Sequence, residues 1–272
     1  MLTYPHINPI ALELGPLRIH WYGIMYLVAF AAAWYLARRR AAALRSTWMA
    51  RDVDDFIYYA MLGTIVGGRI GYVLFYGEAM WRADLWYPLK LWEGGMSFHG
   101  GFLGVFTAVA IFARTRGRRV WDVADFAAPL PGIGIFAVRV GKFINGELWG
   151  RPTEGWWGMR VSEMPGGPLV ARHPSQLYEA GLEGLLLFAI VWVYTRKPRL
   201  RYMPAALFLL CYSLARISVE FVRVPDVQLG YLAGGWLTMG QLLSLPMLLA
   251  GVMLLVLAQR WRQASGNFKP AV

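Results

Sequence analysis

Three arginines, Arg69, Arg139 and Arg216, stand inside stretches apolar enough to cross a membrane. A charge at mid-membrane costs roughly 3 kcal/mol even on the generous insertion scales, so each needs a partner or a purpose. Tyr212, Arg216 and Glu220 recur at four-residue spacing and share one helix face, which Arg223 continues a turn later. Asp122, Asp125, Glu179 and Glu183 are further acids available for pairing. Charges that only pair off would lock a helix bundle and do no chemistry. The stretch Arg139-Val-Gly-Lys-Phe-Ile-Asn-Gly-Glu-Leu-Trp-Gly150 adds a second pattern. It sets Arg139, Asn145 and Glu147 among Gly141, Gly146 and Gly150. Glycines permit tight turns and let main-chain N–H groups face a ligand. An arginine fork beside such groups suits phosphate oxygens. The plain alternative is a helix C-terminus followed by a Gly-rich turn.

His99, in Ser-Phe-His-Gly-Gly101, could take a proton near neutral pH or serve as a packed interface residue. His20 and His173 are similar singletons, and His6 reads as a tail residue. The chain has no HExxH, no GxSxG and no Walker-type loop. Its single cysteine, Cys211, falls in an apolar block and makes a poor thiolate. An enzyme built from these residues would have no covalent nucleophile, bound metal or cofactor of its own, and its substrate would bring the nucleophile.

These residues have to be positioned by membrane helices. The chain is 57% hydrophobic and only 16% charged, and the apolar residues fall into blocks long enough to span hydrocarbon. The reading is a single all-α, polytopic membrane domain over residues 1–272, with seven transmembrane helices at about 19–37, 53–76, 97–113, 121–141, 177–195, 203–222 and 237–259. The net charge of +11 does not point to nucleic acid, because the cations cluster in short loops between apolar blocks. The loops after the first, third and fifth spans and the tail hold 16 Lys and Arg, among them Arg45 and Lys269, against eight on the other side. That asymmetry places the N-terminus outside and the C-terminus in the cytoplasm. No cleavable signal peptide is read at the N-terminus.

Two segments on the outer side are long. Residues 77–96 carry Trp81, Trp86, Tyr87 and Trp92, as expected of chain lying at the interface. Residues 142–176 read as a small periplasmic cap between spans four and five. Gly63, Gly67 and Gly71 in span two, with Gly100 and Gly104 in span three, suit close helix packing. Pro129, Pro131, Gly132 and Gly134 interrupt span four, and broken backbone at that depth is tolerated where it is buried or lines a wet cavity.

Taken in order, these segments resemble the bacterial prolipoprotein diacylglyceryl transferases over nearly the whole chain. The resemblance rests on His20-Trp-Tyr-Gly23, Gly67-Gly-Arg-Ile-Gly-Tyr72, Ser97-Phe-His-Gly-Gly101 and the Arg139–Gly150 stretch. It continues through His173-Pro-Ser-Gln-Leu-Tyr-Glu179, Tyr212 to Asp226, and Leu237-Thr-Met-Gly-Gln241. The family signature usually reads Gly-Arg-x-Gly-Asn-Phe-x-Asn, whereas here Val138 precedes Arg139 and Lys142 stands at the first Asn. The resemblance implies transfer of the diacylglyceryl group of phosphatidylglycerol to a lipobox cysteine in a prolipoprotein signal peptide. The setting would be a multi-pass protein of the bacterial inner membrane, in contact with membrane lipids.

It further implies His99 as first candidate for the base, with Tyr22 or Glu147 positioning or relaying the proton, and Arg139 and Arg216 stabilising the leaving phosphate. Arg139, Lys142, Asn145, Gly146, Gly150, Tyr212, Glu220, Arg223 and Arg69 form the expected substrate-binding set. A phospholipid transporter or flippase is the competing reading, since buried arginines and a broken span also suit a substrate pathway. A membrane scaffold is the third, and it leaves the intramembrane arginines and His99 without a purpose.

Overall fold

The computed structural model describes residues 1–5, 7–15, 17–43, 46–162, 167–225, 230–265 and 270–271; His6, Arg45, Asp226 and Lys269 lie outside the described residues. Each segment expected to span coincides with helix. The helices are α1 (Trp21–Ala41), α2 (Ala50–Phe75), α3 (Glu78–Ala83), α4 (Phe98–Thr115), α5 (Val120–Ala127) and α6 (Pro131–Ile144). They continue as α7 (Ser175–Tyr194), α8 (Met203–Glu220) and α9 (Met239–Ser265). Four of these, α2, α7, α8 and α9, are long and apolar enough to cross a membrane, or five if α5 and α6 count as one span bent by 56°. The break expected in span four is that bend: Pro131 opens α6 at a position where its missing N–H costs nothing.

The chain is not all-α. Short strands β1 (Leu2–Thr3), β4 (Met159–Ser162) and β5 (Leu169–Arg172) form a sheet in the order β1-β4-β5, with β1 parallel to β4. Strands β2 (Ile10–Leu14) and β3 (Leu17–His20) make a hairpin ahead of α1, and β6 (Arg199–Leu200) pairs with β7 (Pro270–Ala271). Runs of two to five residues are too short to show a two-residue period beside the helical blocks.

The chain divides into two compact units, one of Met1–Ala33 with Asp125–Ala271 and one of Trp34–Ala124. In the first unit Ala128, in the break before α6, packs with Leu187 and Val191 of α7, and Ile135 of α6 and Leu207, Phe208 and Tyr212 of α8 surround them. The α7 helix contains a π-helical turn, Ala180–Leu186, of a kind that recurs at functional sites. Asp125 accepts the N–H groups of Tyr202 and Ala205 at 2.7 and 3.0 Å and so caps the start of α8.

In the second unit α2 packs on α4 along the expected glycine stripe. A Cβ at Gly67 would fall 2.7 Å from the Gly104 Cα, and one at Gly71 2.8 Å from the Gly100 Cα. Trp48, Phe56 and Phe112 close the other end, with ring centroids 5.6 to 5.8 Å apart. The 77–96 segment folds as α3 followed by two 3₁₀ turns, Tyr87–Leu89 and Leu91–Glu93.

Candidate active site

Three arginines and three glutamates form a buried network in the first unit. Glu179 and Glu183 project from α7 and Glu220 from the end of α8, each 1% exposed or less. Arg139 of α6 reaches Glu179 Oε2 with Nη1 at 3.0 Å and Glu183 Oε2 with Nη2 at 2.8 Å. Arg216 of α8 pairs with Glu179, with Glu183 Oε1 at 3.4 Å, and with Glu220 Oε1 at 2.5 Å. Arg223 closes the chain on Glu220 Oε1 at 2.9 Å. Three cations, one buried and two largely withdrawn from solvent, therefore meet three buried anions. Buried charge is tolerated only in such mutual pairing, because desolvation otherwise outweighs the Coulomb gain. Tyr212, stacked on Phe208 with centroids 6.0 Å apart, lies in the field of Glu183, Arg139, Arg216 and Glu179.

Glu220 has a further anchor. The Thr238 hydroxyl donates to its Oε2 at 2.6 Å. Thr238 is held in turn by a reciprocal cap at the start of α9: its N–H donates to Gln241 Oε1 at 3.0 Å, and the Gln241 N–H donates to Thr238 Oγ1 at 3.2 Å. Thr-x-x-Gln is a capping-box pattern, so the helix start and the buried carboxylate are fixed by the same side chain.

Lys142 lies one turn beyond Arg139 on the same face of α6. It is close enough to Arg139, Glu179, Arg223 and Glu147 to feel their charges. Among the described residues its ammonium group has no hydrogen bond and no carboxylate within ion-pair distance. Tyr22, on α1, faces the charges of Glu147 and Arg139, and its hydroxyl is 3.0 Å from that of Tyr26. Gly141 lets α1 come close, since a Cβ there would lie 3.1 Å from the Met25 Cγ.

The turn after α6 corrects one expectation. Its main-chain N–H groups do not face a ligand. Those of Asn145, Gly146 and Glu147 donate back to Gly141, Phe143 and Lys142, at 3.0 to 3.1 Å, and that of Gly150 to His173 at 2.9 Å. The first three satisfy the helix's own terminal carbonyls. Gly146 is needed for its φ of +68°, and Gly150 for closeness, since a Cβ there would lie 2.6 Å from the Val222 carbonyl oxygen. What the turn exposes is side chain: Glu147, exposed, accepts from Asn145 Nδ2 at 3.0 Å. Gln176, fully buried, donates to the Glu147 carbonyl from below. Gln176 and Thr238 were not singled out individually; a polar side chain inside an apolar helix, and the capping-box spacing, were the available signals.

Arg69 and His99 belong to the second unit. Arg69, expected in the substrate-binding set, is 3% exposed and engaged with main-chain carbonyls. Its five N–H groups face the carbonyls of Tyr87 (2.6 Å), Lys90 (2.9 Å), Pro88 (3.1 Å), Gly95 (3.3 Å) and Gly94, and its guanidinium lies 4.6 Å from the centre of the Tyr87 ring. His99 is exposed in the first turn of α4, behind the Ser97 cap, whose hydroxyl accepts the Gly100 N–H at 3.2 Å.

A polytopic membrane protein with a buried arginine–glutamate network beside a Gly-rich turn is the class these features define. A model of the prolipoprotein diacylglyceryl transferase family matches residues 9–257. The phosphatidylglycerol–prolipoprotein diacylglyceryl transferase of Solidesulfovibrio magneticus is 54% identical over 255 residues, covering 94% of this chain and 96% of that protein. Those of Pseudomonas aeruginosa and Ectopseudomonas mendocina are 52% and 50% identical, covering 96% and 98% of this chain and 97% and 99% of theirs. The chain belongs to the prolipoprotein diacylglyceryl transferase family.

Proposed function

We propose that this chain transfers the diacylglyceryl group of phosphatidylglycerol to the thiol of a prolipoprotein's lipobox cysteine. The sulfur attacks the glycerol carbon that carries the phosphate. A C–S thioether bond forms, the C–O bond breaks, and its electron pair leaves on glycerol phosphate. A thiol with a pKa near about 8.5 is mostly protonated at neutral pH, so a base must take its proton. His99 holds that role on the family resemblance. Glu147 and Tyr22, which lies in the field of the Glu147 carboxylate in the first unit, are the alternatives for positioning or relaying it.

The observation that carries the mechanism is the distribution of charge. Arg139, Arg216 and Arg223 are matched by Glu179, Glu183 and Glu220, while Lys142 brings a further positive charge to the same helix face. The glutamates hold the arginines in fixed orientation, which costs no reorganisation when charge develops nearby. Negative charge growing on the leaving phosphate is met by Lys142 together with the Arg139 and Arg216 guanidiniums. Asn145 and Glu147 border the headgroup, Tyr212 lines the network, and Glu220 and Arg223 keep Arg216 in place. Gly146, Gly150 and Arg69 act by shaping backbone and not by touching substrate.

The chain crosses the bacterial inner membrane seven times, N-terminus outside and C-terminus in the cytoplasm. The coincidence of each apolar block with a helix, and the 16 to eight bias of Lys and Arg, support that topology. The test is detergent-solubilised protein mixed with phosphatidylglycerol and a lipobox peptide, read by mass spectrometry. A gain of one diacylglyceryl unit on the cysteine is expected. No gain, with the protein folded, sinks the reading in favour of a lipid transporter, which needs a sealed compartment to show its activity.

A further inference from the structure

The N-terminal segment reaches the turn after α6 through one side chain. Strand β1 pairs in parallel with β4, and the Tyr4 N–H extends that pairing to the Arg160 carbonyl at 2.9 Å. This delivers the Tyr4 ring, 6% exposed, to the C-terminus of α6. Its phenol lies 2.9 Å from the Phe143 carbonyl oxygen and 2.7 Å from that of Ile144. Carbonyls in the last turn of a helix lack the regular helical N–H partner, and although the Phe143 carbonyl also takes the Gly146 N–H at 3.0 Å, an outside donor there helps fix where the helix stops. The ring also meets Phe143 and Trp149 edge to face, with centroids 5.4 and 5.2 Å away. Gly146 lies against it: a Cβ there would sit 3.5 Å from the phenol oxygen. The turn that carries Asn145 and Glu147 is therefore gripped at Phe143, Ile144, Gly146 and Trp149 by one residue about 140 positions away.

We infer that Tyr4 is a positioning residue for the transfer reaction: its phenol sets the end of α6 and thereby aims Asn145 and Glu147. The inference rests on the transferase reading above. Burial pushes the phenol above its usual ionisation range, so it stays a hydroxyl donor across the working pH. A neighbouring backbone interaction with Ile7 opposes that shift only in part. Tyr4→Phe keeps the ring packing and removes only the donor.

The test is a double-mutant cycle between Tyr4→Phe and Asn145→Ala, with kcat and KM for phosphatidylglycerol and thermal unfolding read for all four proteins. Wild-type transfer in the same assay separates failure of this inference from failure of the transferase reading. Tyr4→Phe is expected to lower kcat by about tenfold with KM and unfolding nearly unchanged, the scale on which small misplacements act. In the Asn145→Ala background the same change is expected to cost distinctly less than in the wild type, because one of the two groups it aims is gone. Three results would overturn the inference: wild-type kcat in Tyr4→Phe, full additivity of the two substitutions, or a kcat loss that merely tracks lowered thermal stability.

Discussion

Arg139 and Arg216 share Glu183: Arg139 holds its Oε2 at 2.8 Å and Arg216 its Oε1 at 3.4 Å, so one carboxylate spans guanidiniums from two helices. The pair are like charges kept together by anions between them. Replacing Glu183 with Gln leaves an arginine charge uncompensated in a buried setting. Losing one partner of a buried pair costs about 3–5 kcal/mol. Glu183→Gln should lower the thermal midpoint in detergent far more than Glu147→Gln, whose carboxylate is exposed. Equal midpoints for the two variants would mean that the network does not hold the fold.

Arg69→Lys tests the architectural role of a residue that the family resemblance places in the substrate-binding set. An ammonium has three donors and no planar fork, so it cannot serve five carbonyls. Hydrogen exchange at residues 87–95 should rise by about tenfold or more as that shell opens. Unchanged exchange combined with lost transfer would return Arg69 to the substrate.

The difference between Arg69 and Arg139 shows where sequence reasoning runs out. Both are single arginines in apolar blocks. The partners of Arg139 are acids, Glu179 and Glu183, whose type announces them. Those of Arg69 are backbone carbonyls of a segment without periodicity, and nothing in residue type marks a carbonyl that will be needed. The helices were legible because apolar blocks of the required length are explicit. The shared face of Arg216 and Glu220 was legible because four-residue spacing is local, and their ion pair at 2.5 Å follows from it. The grip of Tyr4 on Phe143 and Ile144 was not, because it depends on a two-residue strand pairing across the chain. Of the two readings open for the Gly-rich turn, its N–H groups follow the plain helix C-terminus, because α6 has to satisfy its own last carbonyls.

His173 gives a pH signature outside the spanning helices. Burial lowers its pKa, so the folded protein keeps the ring neutral where an unfolded chain would already be protonated. The unfolded state then binds more protons, and stability falls as pH drops below the ordinary imidazole value of about 6.5. The loss is complete only below the lowered folded value. Between about pH 7.5 and 5, the wild-type thermal midpoint should fall more than that of His173→Gln. Parallel curves would show that His173 contributes nothing to the acid side.

The charge account is tested most directly at Lys142, by single-turnover transfer from phosphatidylglycerol in the wild type, Lys142→Arg, Lys142→Met and Lys142→Asn. Removing one preorganised donor to developing charge costs about 10²–10³ in rate. Lys142→Met should show a loss of that order, Lys142→Arg should stay within about tenfold of wild type, and Lys142→Asn, with the amide usual in the family signature, should fall between them. A wild-type rate in Lys142→Met, or a rate above wild type in Lys142→Asn, would contradict the assignment of the leaving phosphate to this lysine.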